Sequence, residues 1–138
     1  MASSTVLLAQ TARQRYAIKR DDVLSIELIG EEGPSQHFDA RGNAYIGVEL
    51  GALIDPADRS TQRRQRALLV ALRRRIVALL VDHVELVEAD QVVALPALLA
   101  ERLQHPWAIA ALTIEDNLVV QLDIRALARS ALSQTTLA

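Results

Sequence analysis

Leu68-Leu-Val-Ala-Leu-Arg-Arg-Arg-Ile-Val-Ala-Leu-Leu-Val-Asp-His-Val84 sets two apolar runs on either side of three arginines. In an extended chain Leu68, Val70 and Leu72 point one way, and Leu69 and Ala71 the other. After Arg73-Arg74-Arg75, Ile76–Val81 resumes with β-branched and aliphatic residues. The stretch predicts a hairpin of two strands with a charged tip. Asp82 follows the second strand, and Val84 opens a third.

The same order recurs 61 positions earlier, the spacing from Val23 to Val84. Leu7, Leu8, Arg13, Ala17, Asp21, Val23 and Glu27 match Leu68, Leu69, Arg74, Ala78, Asp82, Val84 and Glu88. A second offset, 74 positions from Asn43 to Asn117, brings Asn43, Ala52 and Leu53 onto Asn117, Ala126 and Leu127. It also brings Ala44, Ile46 and Val48 onto Leu118, Val120 and Leu122, and Glu49 onto Asp123. Leu118, Val120 and Leu122 alternate with Val119, Gln121 and Asp123, the period of a half-buried strand. Each half therefore reads as three strands, a variable connection, two more strands and a short helix.

Turn signals between short apolar segments point to a small all-β protein. The expected fold is mainly β, with two small five-stranded antiparallel barrels and short helices, in one domain over residues 1–138. Residues 5–54 form the first barrel, Asp55–Gln65 a polar join, and residues 66–132 the second barrel with a C-terminal helix. A barrel of about 60 residues is marginal alone, so the two are expected to pack on each other. Helices are expected at Leu50–Ile54, stopped by Asp55-Pro56, at Pro96–Leu103, and at Asp123–Leu132 behind an aspartate cap.

The 138 residues are 51% hydrophobic and 23% charged, which excludes wholesale disorder. Tyr16, Phe38, Tyr45 and Trp107 are the only aromatics, so the core rests on Leu, Val, Ile and Ala. A net charge of -2 gives no global attraction for nucleic acid or anionic membrane. The absence of cysteine removes disulfides, thiol nucleophiles and cysteine-held metals. The apolar stretch Val6–Ala9 is too short for a signal segment, and no run approaches the roughly 20 residues of a membrane span. A cytoplasmic location is expected, with no membrane insertion.

Catalytic patterns are missing. His37, His83 and His105 lie far apart, without metal-ligand spacing. His83 beside Asp82 has the look of an oriented base, but its counterpart in the first half is Asp22, so the position reads as a repeated turn. The pairs Glu31-Glu32 and Glu115-Asp116 fall in expected turns as solvated charge. The five glycines make no phosphate loop, and no serine sits in a nucleophile motif. No enzyme activity, metal or cofactor is expected. Arginine alone is biased: Arg59, Arg63, Arg64, Arg66, Arg73, Arg74 and Arg75 are seven of the fifteen basic residues. Without aromatics for base stacking, this window reads as solvated charge, with an acidic protein partner as an option.

Four stretches in order resemble the CheW-like domain of bacterial chemosensory systems. Gln14-Arg-Tyr-Ala-Ile-Lys-Arg-Asp-Asp-Val23 is similar to the family's opening hairpin and the turn beyond it. Arg41-Gly-Asn-Ala-Tyr-Ile-Gly-Val-Glu-Leu50 is similar to its Arg-Gly turn and following strand, and Val77-Ala-Leu-Leu-Val-Asp-His-Val84 to its Val-Asp-x-Val strand. Trp107–Leu127 is similar to its closing strands. The segment Ile29–His37 is short and polar where the family has a longer one, which implies a truncated first barrel. Ile46 stands where the family has proline, Ser25 where it has an acidic residue, and Ala110 or Ala111 where it has glycine.

The resemblance implies a non-catalytic adaptor that couples chemoreceptors to a CheA-type histidine kinase. Its implied partners are the kinase regulatory domain and the chemoreceptor cytoplasmic tip, with Arg41 and Val23 on the partner-binding surface. A scaffold for another output, such as surface motility, is the alternative within the family, and a small-barrel nucleic-acid binder using Arg59–Arg75 the alternative outside it. An incomplete barrel also invites a homodimer by strand exchange or edge pairing.

Overall fold

A computed structural model describes residues 4–29, 37–38, 44–61, 65–73, 75–89, 91–93 and 107–136. Eleven strands and two α-helices are present among them: β1 (Ser4–Gln10), β2 (Arg15–Ile18), β3 (Ser25–Ile29), β4 (His37–Phe38), β5 (Ala44–Glu49), α1 (Leu50–Ile54), β6 (Gln65–Ala71), β7 (Ile76–Val81), β8 (His83–Ala89), β9 (Gln91–Val93), β10 (Ala108–Ile114), β11 (Asn117–Leu122) and α2 (Ile124–Thr136). A 3-10 turn at Arg20–Asp22 leads from β2 to β3. The chain is mainly β with few helices, as expected, and its strands form two packed sheets. The expected helix at Pro96–Leu103 lies outside the described residues.

The arginine-tipped hairpin forms as expected, with Leu68 opposite Leu79 and Ala71 opposite Ile76. Its counterpart pairs Leu7 with Ile18 and Leu8 with Ala17. The 61-position offset carries those pairs onto Leu68–Leu79 and Leu69–Ala78. Applying both offsets carries Val120–Tyr16 onto Ile46–Val77, and Leu122–Ile18 onto Val48–Leu79. The duplication read from residue identities is thus a duplication of hydrogen-bonding register at the first hairpins and the parallel pairs. At the edge strands it slips by one residue, Leu7 pairing with Leu86 but Leu68 with Ile26.

Three features differ from the sequence expectation. First, the sheets do not follow the division at the join. One sheet has the order β8-β1-β2-β11-β10-β9 and the other β3-β6-β7-β5-β4. Each half lends its first hairpin to the other half's sheet. Second, the pairings are not all antiparallel, since β2–β11 and β5–β7 are parallel. Reciprocal exchange is the reason: strands far apart in sequence meet across a long connection, which parallel pairing requires. Third, both sheets run open from edge to edge among the described residues instead of closing into barrels.

The exchange explains where the core sits. Leu7, Ala9, Tyr16 and Ile18 of one sheet meet Leu68, Val70, Val77, Leu79 and Val81 of the other in a shared core. Ile124, Leu127, Ala128 and Ala131 of α2 complete it. Asp123 caps this helix, its side chain accepting from the Ala126 N–H at 3.2 Å. The alternate residues of the same strands fill one smaller core per sheet: Val6, Leu8 and Ala17 in one, Ala67, Leu69, Ala78 and Leu80 in the other. These strands are buried on both faces, which is why they read as unbroken apolar runs.

Candidate functional site: two apolar edge strands

β3 and β8 are edge strands, one in each sheet. Directly opposed residues of an antiparallel pair share a face. Ile26 lies opposite Leu68 and Leu28 opposite Arg66, so both point to the face that holds the shared core. Leu86 lies opposite Leu7 and points the same way in the other sheet. These side chains are left in water: Ile26 is 42%, Leu28 56% and Leu86 54% exposed. Leu24, in the bend before β3, is exposed as well. Each sheet thus carries its apolar face past the core and out to its rim.

Val23 is half-buried and packs against the shared core. Its neighbours Leu24, Ile26 and Leu28 provide the exposed surface, and the sequence reading missed them. Their alternation with Ser25 and Glu27 was visible, but period two normally assigns the apolar set inward. Only the position of β3 at the sheet edge leaves that inward-facing set uncovered. Arg41 lies outside the described residues.

A second polar assembly fixes the crossing of the halves. Asp58, in the stretch expected to be a solvated join, is buried. Its carboxylate accepts from the Thr11 hydroxyl at 2.5 Å and from the Arg13 N–H at 3.0 Å. Ser60 donates from its hydroxyl to Asp82 and from its backbone N–H to Glu49 at 3.3 Å. The Asp82 N–H in turn donates to the Gln10 carbonyl at 2.8 Å. The join therefore straps the first hairpin tip to the β7–β8 corner. Gly51 admits it, because a Cβ there would stand 2.7 Å from Cγ of Asp58. Burial, together with Asp58 and Asp55, pushes the Tyr16 hydroxyl up to about 12.

Neither assembly has the parts of a catalytic centre. His83 is exposed at the start of β8, and no group of three metal-ligating side chains occurs among the described residues. A surface depression of about 390 Å³ is lined by Thr5, Val6, Lys19, Arg20, Asp21 and Gln121, with no histidine or activated nucleophile. Arg66 is the second residue of β6 and Arg73 lies in the bend two residues past its end, roughly 23 Å away at strand rise. The arginine window is therefore split by a strand, while Arg63, Arg64 and Arg74 lie outside the described residues. No helix among the described residues is long and apolar enough to cross a membrane.

The model of the CheW-like domain family matches residues 5–132. The chain belongs to the CheW-like family. That family is one of non-catalytic adaptors and scaffolds. Among solved structures, the scaffolding protein TtCheW from Thermoanaerobacter tengcongensis is similar in fold, with a TM-score of 0.67 at 13% identity. The similarity covers 92% of this chain and 88% of that one. No curated protein matches the sequence.

Proposed function

We propose that this CheW-like chain is a cytoplasmic chemosensory adaptor that couples chemoreceptors to a CheA-type histidine kinase. The observation that supports it is the exposed apolar series Ile26, Leu28 and Leu86 on edge strands continuous with the shared core. A helical segment of the chemoreceptor tip suits the β3 part of that surface, Ile26 and Leu28. Residues two apart on a strand are separated by about 6.8 Å, a little more than the roughly 5.4 Å pitch of a helix, so side chains from successive turns of one helical face can cover them. Arg41, at the family's Arg-Gly position, contacts a partner carboxylate on the kinase side, and Val23 backs the receptor surface from within. The rigid frame between these faces transmits position, not chemistry.

The test is a titration of the whole chain against the regulatory domain of a CheA-type kinase and, separately, against a chemoreceptor tip fragment. Saturable micromolar binding of both is expected. Ile26→Asp weakens the receptor fragment alone, and Arg41→Glu weakens the kinase domain. Absence of binding to both partners overturns the coupling role and leaves a CheW-like scaffold for another output. Pairing of two copies at the free β3 edge is the other occupancy this strand admits. Light scattering of the chain alone at high concentration measures it, and the mass of a single chain excludes it.

A further inference from the structure

The two edge strands correspond in the internal duplication, but their pairing differs by one residue. Leu7 pairs with Leu86, whereas Leu68 pairs with Ile26 and not Ser25, so the matched acids Glu88 and Glu27 lie on opposite faces. Arg66 and Thr5 are 61 positions apart and occupy equivalent places on β6 and β1. Arg66 is opposite Leu28, whereas Thr5 is opposite Glu88. Both pairs lie on the face that carries the shared core. The β3 rim therefore reads Ile26, Leu28 and then a guanidinium, while the β8 rim reads Leu86 and then a carboxylate. Arg66 and Glu88 are both exposed, and no ion pair holds either side chain among the described residues.

We propose that Arg66 is a specificity residue: it selects, for the β3 rim, an amphipathic helix that carries a carboxylate at the end of its apolar face. The inference rests on the receptor-docking reading above and adds the charge and direction of the docked segment. Apolar contacts supply area but fit a helix in either direction, because they are non-directional. One cation at one end of a short apolar row breaks that degeneracy. Arg suits the task, since its planar fork can hold a carboxylate with two parallel hydrogen bonds while its stem covers the apolar neighbour. On the β8 rim Glu88 repels the same segment, so the one-residue slip between the two edge strands gives two rims that do not compete for one ligand.

Two helical peptides of one sequence test this, with leucines one turn apart and either Glu or Lys beyond the last leucine. The whole chain is expected to bind the Glu peptide roughly tenfold more tightly than the Lys peptide, with a preference that weakens as salt rises. Arg66→Glu reverses the preference, Arg66→Gln abolishes it, and Ile26→Asp removes binding of both peptides. Glu88→Lys changes nothing at this site. Equal affinity for the two peptides, failure of both to bind, or a preference that survives Arg66→Glu overturns the proposal. The underlying reading fails separately, when a chemoreceptor tip fragment binds Ile26→Asp as tightly as the unaltered chain. Urea unfolding of each variant confirms that these exposed substitutions leave the fold intact.

Discussion

Asp58 is a buried carboxylate whose partners come from the opposite end of the first half. Replacing it with alanine removes the acceptor of the Arg13 N–H and leaves the Thr11 hydroxyl only the Gln14 carbonyl at 3.2 Å. The cost of a buried donor left unmade is about 1–3 kcal/mol, so Asp58→Ala is expected to lower the urea midpoint by that equivalent. Asp55 is the comparison, because its side chain accepts from the exposed Ala57 N–H and Asp55→Ala falls near the effect of an ordinary surface change. Tyr16 gives a prediction of known sign. Its hydroxyl is pushed from 10.0 to about 12 in the folded chain, so the folded state holds its proton more firmly than the unfolded one. Stability from this group is complete below pH 10 and is lost as pH rises towards 12, by at most about 1.4 kcal/mol per pH unit. Tyr16→Phe is expected to flatten that part of the stability-against-pH curve, measured as the difference between the two proteins.

At the scale of elements, the β10–β11 turn holds two non-glycine residues in the left-handed region, Glu115 at φ 51° and Asp116 at φ 65°. A two-residue hairpin turn favours this geometry because its twist matches the strands, and glycine accepts it without a Cβ penalty. Asp116→Gly is therefore expected to stabilise the chain by about 0.5–1 kcal/mol, read as a higher urea midpoint with an unchanged slope. Local chemistry of this kind was legible: the acidic pair falls in a turn, α1 spans Leu50–Ile54 as expected, and Asp123 caps α2. The strands of the first hairpins were legible too, because burial on both faces writes itself as continuous apolar sequence. The exposure of Ile26 and Leu28 was not. Alternation reports that a strand has an apolar face, but the neighbour that does or does not cover it is chosen by the sheet order.

Sheet order belongs to the whole molecule, and there the duplication was legible while its consequence was not. Residue identities fix which segments correspond; they do not fix which copy a hairpin joins, since β1–β2 presents the same apolar pattern to either half. The shared core decides it. Tyr16 and Ile18 face Val77 and Leu79 in one continuous cluster, and α2 closes that cluster from the end of the chain. A chain cut in the join, after Thr61, should therefore yield two pieces that cannot bury their strands separately. The first piece keeps β1–β2 without the β8 and β11 that flank it, and the second keeps β6–β7 without β3 and β5. Each is expected to lack a cooperative thermal transition by circular dichroism, and an equimolar mixture to regain one, at a midpoint that rises with concentration because assembly has become bimolecular. A cooperative melt from either piece alone would show that a half can pair its own hairpin with its own edge strands, and that the exchange is a choice between near-equal arrangements.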